Sequence, residues 1–150
     1  MMDPVYEAAR VGGWLAGQLE LEPGPPVCMA AVDDSGSLVY LYRMAGAPAR
    51  LVPIAIAKAY TAARMEQPTQ VFRQRLERER LTLADFQDAG FTSLPGGWPV
   101  RVDGQTLAGL AVSGRTLDED ERICRLWLDS LYEAATSLPG ECLEPGRQTT

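Results

Sequence analysis

The chain has 150 residues, with 14 basic and 20 acidic side chains and a formal charge of -6. That length suffices for one globular domain, 1–150, which buries roughly 70% of its unfolded surface without a metal or disulfide staple. The acidic balance excludes a general nucleic-acid binder, and the absence of histidine excludes Ser-His-Asp and Cys-His catalysis, His-ligated zinc and proximal-His haem.

Asp3 is placed to cap a helix with Pro4 at its first position, and Val5, Ala8, Ala9, Leu15 and Leu19 form a stripe to about residue 20. Early acids and the lack of a basic n-region predict no signal peptide. No apolar run approaches the ~18 residues of a membrane span, so a cytoplasmic protein without membrane contact is expected. Glu22-Pro23-Gly24-Pro25-Pro26 ends the helix as a stiff linker. Val27 to Val32 reads as a buried strand, Asp33-Asp34-Ser35-Gly36 as a turn, and Leu38 to Tyr42 as the return strand of a hairpin.

Ala45 to Pro48 is a loop, followed by a helix to Arg64 or Met65, in which Pro53 implies either a start near residue 52 or a kink in the first turn. Its alanines (55, 57, 59, 62 and 63) permit close packing on a neighbour. Gln67-Pro68 ends it, Thr69 caps a charged helix to about Arg80, and Thr82 to Asp85 opens a short helix closed by Gly90. Leu94 to Pro99 is a turn-rich loop. Val100 to Val102 and Leu107 to Val112 flank Asp103-Gly104, a strong hairpin signal. Thr116-Leu117-Asp118-Glu119 fits a capping box, and the acids 118 to 121 read as a solvated helix start facing the positive end of the dipole. Ile123, Leu126, Trp127, Leu131 and Ala134 supply that helix's buried stripe. Pro139-Gly140 stops it, leaving 137–150 as a loose tail. Hairpins separated by helices imply an antiparallel sheet in an α+β two-layer domain.

The cysteines Cys28, Cys124 and Cys142 are odd in number and lack CxxC spacing. They therefore support neither a disulfide framework nor a metal site. Lys58 stands out because helical spacing from Ile54, Ala55 and Ala62 turns it toward the sheet. A lysine there either is structural, capping a strand end or pairing with Asp33, or serves a pocket as an anion binder or desolvated base. Arg43, at a strand end, is a candidate carboxylate clamp, and Gly96-Gly97 a candidate source of backbone N–H groups for an anion. Each also has an ordinary structural explanation, as a salt-bridged strand end and a turn.

Several segments together resemble the GlcG/HbpS-like haem-degrading-domain family, which includes the C-terminal domain of PduO-type corrinoid proteins. The matching pieces are Ala31-Val32-Asp33 with Gly36, Arg43-Met44 with Gly46-Ala47, and Lys58-Ala59-Tyr60-Thr61-Ala62. They continue with Pro68-Thr69, Gly96-Gly97-Trp98-Pro99, Gly104 through Val112-Ser113-Gly114, and Asp120. They run in order over about 27–128. The resemblance implies a profilin/PAS-like fold with about five antiparallel strands, and homo-oligomers from dimer to octamer. It also implies a small-molecule ligand, with haem or a corrinoid as the cofactor class. Ligand-binding candidates are then Arg43, Met44, Lys58, Thr61, Gly96 and Gly97, with Lys58 the candidate catalytic residue. Without histidine, iron would turn to Met44, Cys28, a tyrosine, Lys58 or Thr61. Two other expectations stand beside ligand binding. One is catalysis on a small organic acid held by Lys58 and Arg43. The other is a non-catalytic assembly role in a catabolic enzyme complex.

Overall fold

A computed structural model describes residues 3–136; the expected helix stop at Pro139-Gly140, the tail 137–150 and Cys142 lie outside the described residues. The elements are α1 (Pro4–Glu20), β1 (Cys28–Asp33), β2 (Leu38–Arg43), α2 (Leu51–Met65) and α3 (Thr69–Glu79). After a 3-10 turn (Leu83–Phe86) come β3 (Gly97–Val102), β4 (Gln105–Ser113) and α4 (Leu117–Thr136). Local chemistry sets these bounds. The Asp3 carboxylate accepts the Val5 N–H at 3.0 Å with Pro4 next to it. Thr116 Oγ1 accepts the Glu119 N–H at 3.2 Å and donates to the Glu119 carboxylate. The short helix after Thr82 closes at Gln87 in the left-handed region, earlier than the predicted Gly90.

The four strands form one antiparallel sheet in the order β2-β1-β4-β3. They are the strands readable residue by residue, against the about five that the resemblance implied. β1 and β4 occupy the middle, so β1 is apolar without alternation, as a strand covered on both faces must be. Met29 and Ala31 of β1 join Leu110 and Val112 of β4 beneath α1 and α4. Cys28, Ala30 and Val32 turn the other way and meet Ala55, Ala59 and Ala63 of α2. The class is α+β as expected. The layers are three rather than two, because α1 returns to the face that α2 leaves bare.

Trp127 of α4 locks the α1–α4 layer. Its Nε1 donates to the Ala8 carbonyl at 2.9 Å, and its ring meets Tyr40 edge-on at 6.0 Å. Leu126, placed in the buried stripe by spacing alone, is exposed. Two adjacent glycines in α1 give a matched test of this packing. A Cβ on Gly12 would lie 2.8 Å from the Trp127 ring, whereas one on Gly13 meets nothing within 4 Å. Gly13→Ala is expected to stabilise by about 0.5–1 kcal/mol through helix propensity, and Gly12→Ala to destabilise by about 1–3 kcal/mol through overpacking. Urea midpoints moving in opposite directions would bear this out; two equal shifts would contradict it.

A candidate anion-binding cavity

Lys58 lies on the sheet side of α2 and is 1% exposed. Its Nζ donates to the Val112 carbonyl at 2.9 Å and to Asp120 Oδ2 at 3.1 Å. Asp120, in the first turn of α4, is itself 2% exposed. The lysine's partner is therefore Asp120 and not Asp33, whose carboxylate instead closes its own turn through the N–H groups of Ser35 and Ser37 at 2.9 Å each. The acids 118 to 121 are correspondingly unequal. Asp118 is solvated, but Asp120 lies two residues further round the helix and faces inward.

Asp120 Oδ1 also accepts the Arg115 N–H at 2.9 Å. That contact folds the Ser113-Gly114-Arg115 junction over the end of β4. Burial pushes the Asp120 carboxyl above its ordinary range, while the Lys58 ammonium and the N–H groups of Arg115 and Gly114 pull against that shift. Gly96 closes the pair from the side. It sits at φ +124°, its carbonyl accepts the Val112 N–H at 3.0 Å, and a Cβ there would come 2.8 Å from Lys58 Nζ. The neighbouring Gly97 N–H goes to Thr69 Oγ1 at 2.9 Å.

Above the pair opens a cavity of about 490 Å³, inside the usual range for small-molecule sites. Pro25, Pro26, Pro48, Leu51 and Ile54 give it apolar walls. Arg50, Arg115 and Lys58 are its cations, and Asp120 is its one acid. The wall thus carries three positive charges against one negative in a chain whose total is -6. Arg115 Nε donates to the Pro25 carbonyl at 2.9 Å, which pins the linker after α1 to the cavity rim. Arg50 is the N-cap residue of α2 and its side chain makes no capping bond. Both arginines thus stand at helix N-termini, where a cation opposes the dipole by about 0.3–1 kcal/mol unless an anion lies between them.

The residues singled out from sequence are only partly gathered: Gly96 and Gly97 pack against Lys58, while Arg43, Met44 and Thr61 lie elsewhere. Of the six ligand-binding candidates, Lys58 alone reaches this wall. Arg43 is exposed and folds its Nε onto the Ala47 carbonyl at 2.8 Å. Met44 is buried in the α1–α4 core, and its sulfur accepts the Val27 N–H at 3.4 Å. Thr61 donates to the Ala57 carbonyl at 2.7 Å and accepts the Thr92 N–H at 2.9 Å, tying the loop before β3 to α2. Cys28 and Cys124 are buried, and burial pushes both thiols up, away from the reactive thiolate.

Sequence reasoning missed Arg50 and Arg115. The available signal was their position, since a basic residue at a helix start runs against the dipole. From the motif pieces, Gly46, Lys58, Ser113, Gly114 and Asp120 do converge on the one cavity.

No helix among the described residues is long and apolar enough to cross a membrane. The chain is 29% identical over 117 residues to an uncharacterised 15.0 kDa protein of Citrobacter freundii, across 75% of this chain and 81% of that one. The crystal structure of the Klebsiella pneumoniae protein ORFY superposes with a TM-score of 0.73 at 24% identity, covering 83% of this chain and 87% of that one. A double mutant of Streptomyces reticuli HbpS gives 0.71 at 30% identity over 86% and 84%. The haem complex of PduOC gives 0.70 at 22% identity over 87% and 93%, a likeness of fold. The family model for HbpS-like haem-degrading proteins matches residues 6–128, and the chain belongs to that family.

Proposed function

We propose that this protein binds a small ligand with an apolar body and carboxylate groups in the cavity between the N-terminal turns of α2 and α4. Haem or another tetrapyrrole is the favoured ligand, with its carboxylates on Arg50 and Arg115. The observation that carries this reading is the placement of two arginines at helix N-termini around an apolar-walled cavity in an acidic chain. Membership of the family and the haem complex of the similarly folded PduOC supply the ligand class.

The residues present fit the carboxylates of such a ligand. They do not fit an iron centre. Among the described residues, no Met, Cys or Tyr lines this cavity, and no group of three or more His, Cys, Asp or Glu could hold a metal. Proton transfer by Lys58 to a small organic acid has less support, because the ammonium is 1% exposed and held by Val112 and Asp120. Lys58 acts instead as the floor, keeping Asp120 neutralised beneath the bound anion.

The test is a hemin titration followed by visible absorption. The wild type is expected to give a saturable change near one equivalent. Arg50→Glu and Arg115→Glu are each expected to weaken it about tenfold or more, the order of one charge-assisted contact reversed in sign. A flat wild-type titration, or unchanged affinity in both variants, overturns the reading.

A further inference from the structure

Resting on that reading, we infer that the cavity recognises a tetrapyrrole through its carboxylates and ring face and not through the metal, so that the metal-free ring is as good a ligand as the iron-loaded one. A metal-directed site needs a donor atom with a free lone pair facing the bound ring. The chain has no histidine to supply one.

The remaining donor types lie elsewhere, since among the described residues no methionine, cysteine or tyrosine lines the cavity. Met29 and Met44 are buried in the α1–α4 core, the latter with its sulfur engaged. Cys28 and Cys124 are buried, and the Cys124 thiol donates to the Leu110 carbonyl at 3.3 Å. The hydroxyls of Tyr42 and Tyr60 donate to Glu20 and Asp88, away from the cavity. Inside the wall, Lys58 offers an ammonium, which has three donors and no lone pair. The Asp120 carboxylate is 2% exposed, with Oδ2 held by Lys58 and Oδ1 by the Arg115 N–H. Ser113 offers a neutral hydroxyl, a poor match for iron beside imidazole or thiolate. The wall is therefore built to meet negative oxygen atoms with N–H groups and an apolar plane with proline and leucine. Neither interaction changes when iron is removed from the ring.

The experiment titrates the full chain separately with protoporphyrin IX, followed by its fluorescence, and with hemin, followed by absorption. The two dissociation constants are expected to agree within about threefold, and Arg115→Glu is expected to weaken both by a similar factor. Bound hemin is expected to keep a high-spin spectrum, since no nitrogen or sulfur ligand reaches it. Hemin binding about tenfold or more tighter than protoporphyrin IX, or a low-spin spectrum, overturns the inference while leaving tetrapyrrole binding intact. If that preference disappears in Ser113→Ala, the hydroxyl is the ligand that the inference denies. Binding of neither compound overturns both the inference and the reading it rests on.

Discussion

Lys58→Ala is expected to destabilise the protein by about 3–5 kcal/mol, the range for breaking a buried ion pair from one side. The physical reason is the partner left behind. Asp120 would stay buried at 2% exposure with its countercharge gone, and the Val112 carbonyl would lose the N–H it accepts. Asp120→Ala should be similarly harmful, since it strands the ammonium. The double replacement Lys58→Met with Asp120→Leu should recover most of the loss, because paired apolar groups of like volume often substitute for a buried ion pair at little cost. Denaturant midpoints for the two singles and the double form a mutant cycle. A loss under about 1 kcal/mol in both singles would show that the pair is not a structural element. The double variant also separates roles, because it retains the fold while removing the charge beneath the cavity.

Gly109→Ala is expected to destabilise by about 3 kcal/mol, the upper end for overpacking. Gly109 lies in the middle of β4, opposite Val32 of β1 and Pro99 of β3. A Cβ there would overlap the Ala59 carbonyl oxygen and lie 3.0 Å from the Ala63 Cβ. The obstacle is helix backbone, which has no rotamer to change, and β4 is held in register on both sides. The strain must therefore push α2, which carries Lys58, away from the sheet. Gly17→Ala, which meets nothing within 4 Å, is the control. A Gly109→Ala midpoint equal to the wild type's would contradict the close approach of α2.

These two sites also divide what was legible in the sequence from what was not. The alanine stripe of α2 announces close approach, and the structure gives it Gly109 of β4 as its partner. The Asp103-Gly104 hairpin was readable because both residues must adopt positive φ, and they do, at 53° and 78°. Spacing alone turned Lys58 toward the sheet. Its partner was not readable: Asp33 opens one turn and Asp120 follows another, and only the strand order β2-β1-β4-β3 brings the end of β4 beside α2. The inward turn of Asp120 was hidden in a run of four acids, because the run looks uniform until the helix phase is fixed by Trp127. Layering was equally hidden, since a helix preceding the first strand can cover either face. Arg43 and Met44 fell away from the cavity because β2 is an edge strand. Its end points to solvent on one side and into the α1–α4 core on the other, while Gly46 carries the chain back to the rim.

The cavity's role is tested most directly by mapping backbone amide shifts of the 150-residue chain during a titration with protoporphyrin IX, which is diamagnetic. Shifts centred on Gly46, Leu51, Leu94, Gly114 and Arg115 are the predicted result. Shifts confined to another face, such as the groove between α1 and α4 at Val11, Trp14 and Ser130, would place the ligand elsewhere and contradict the account.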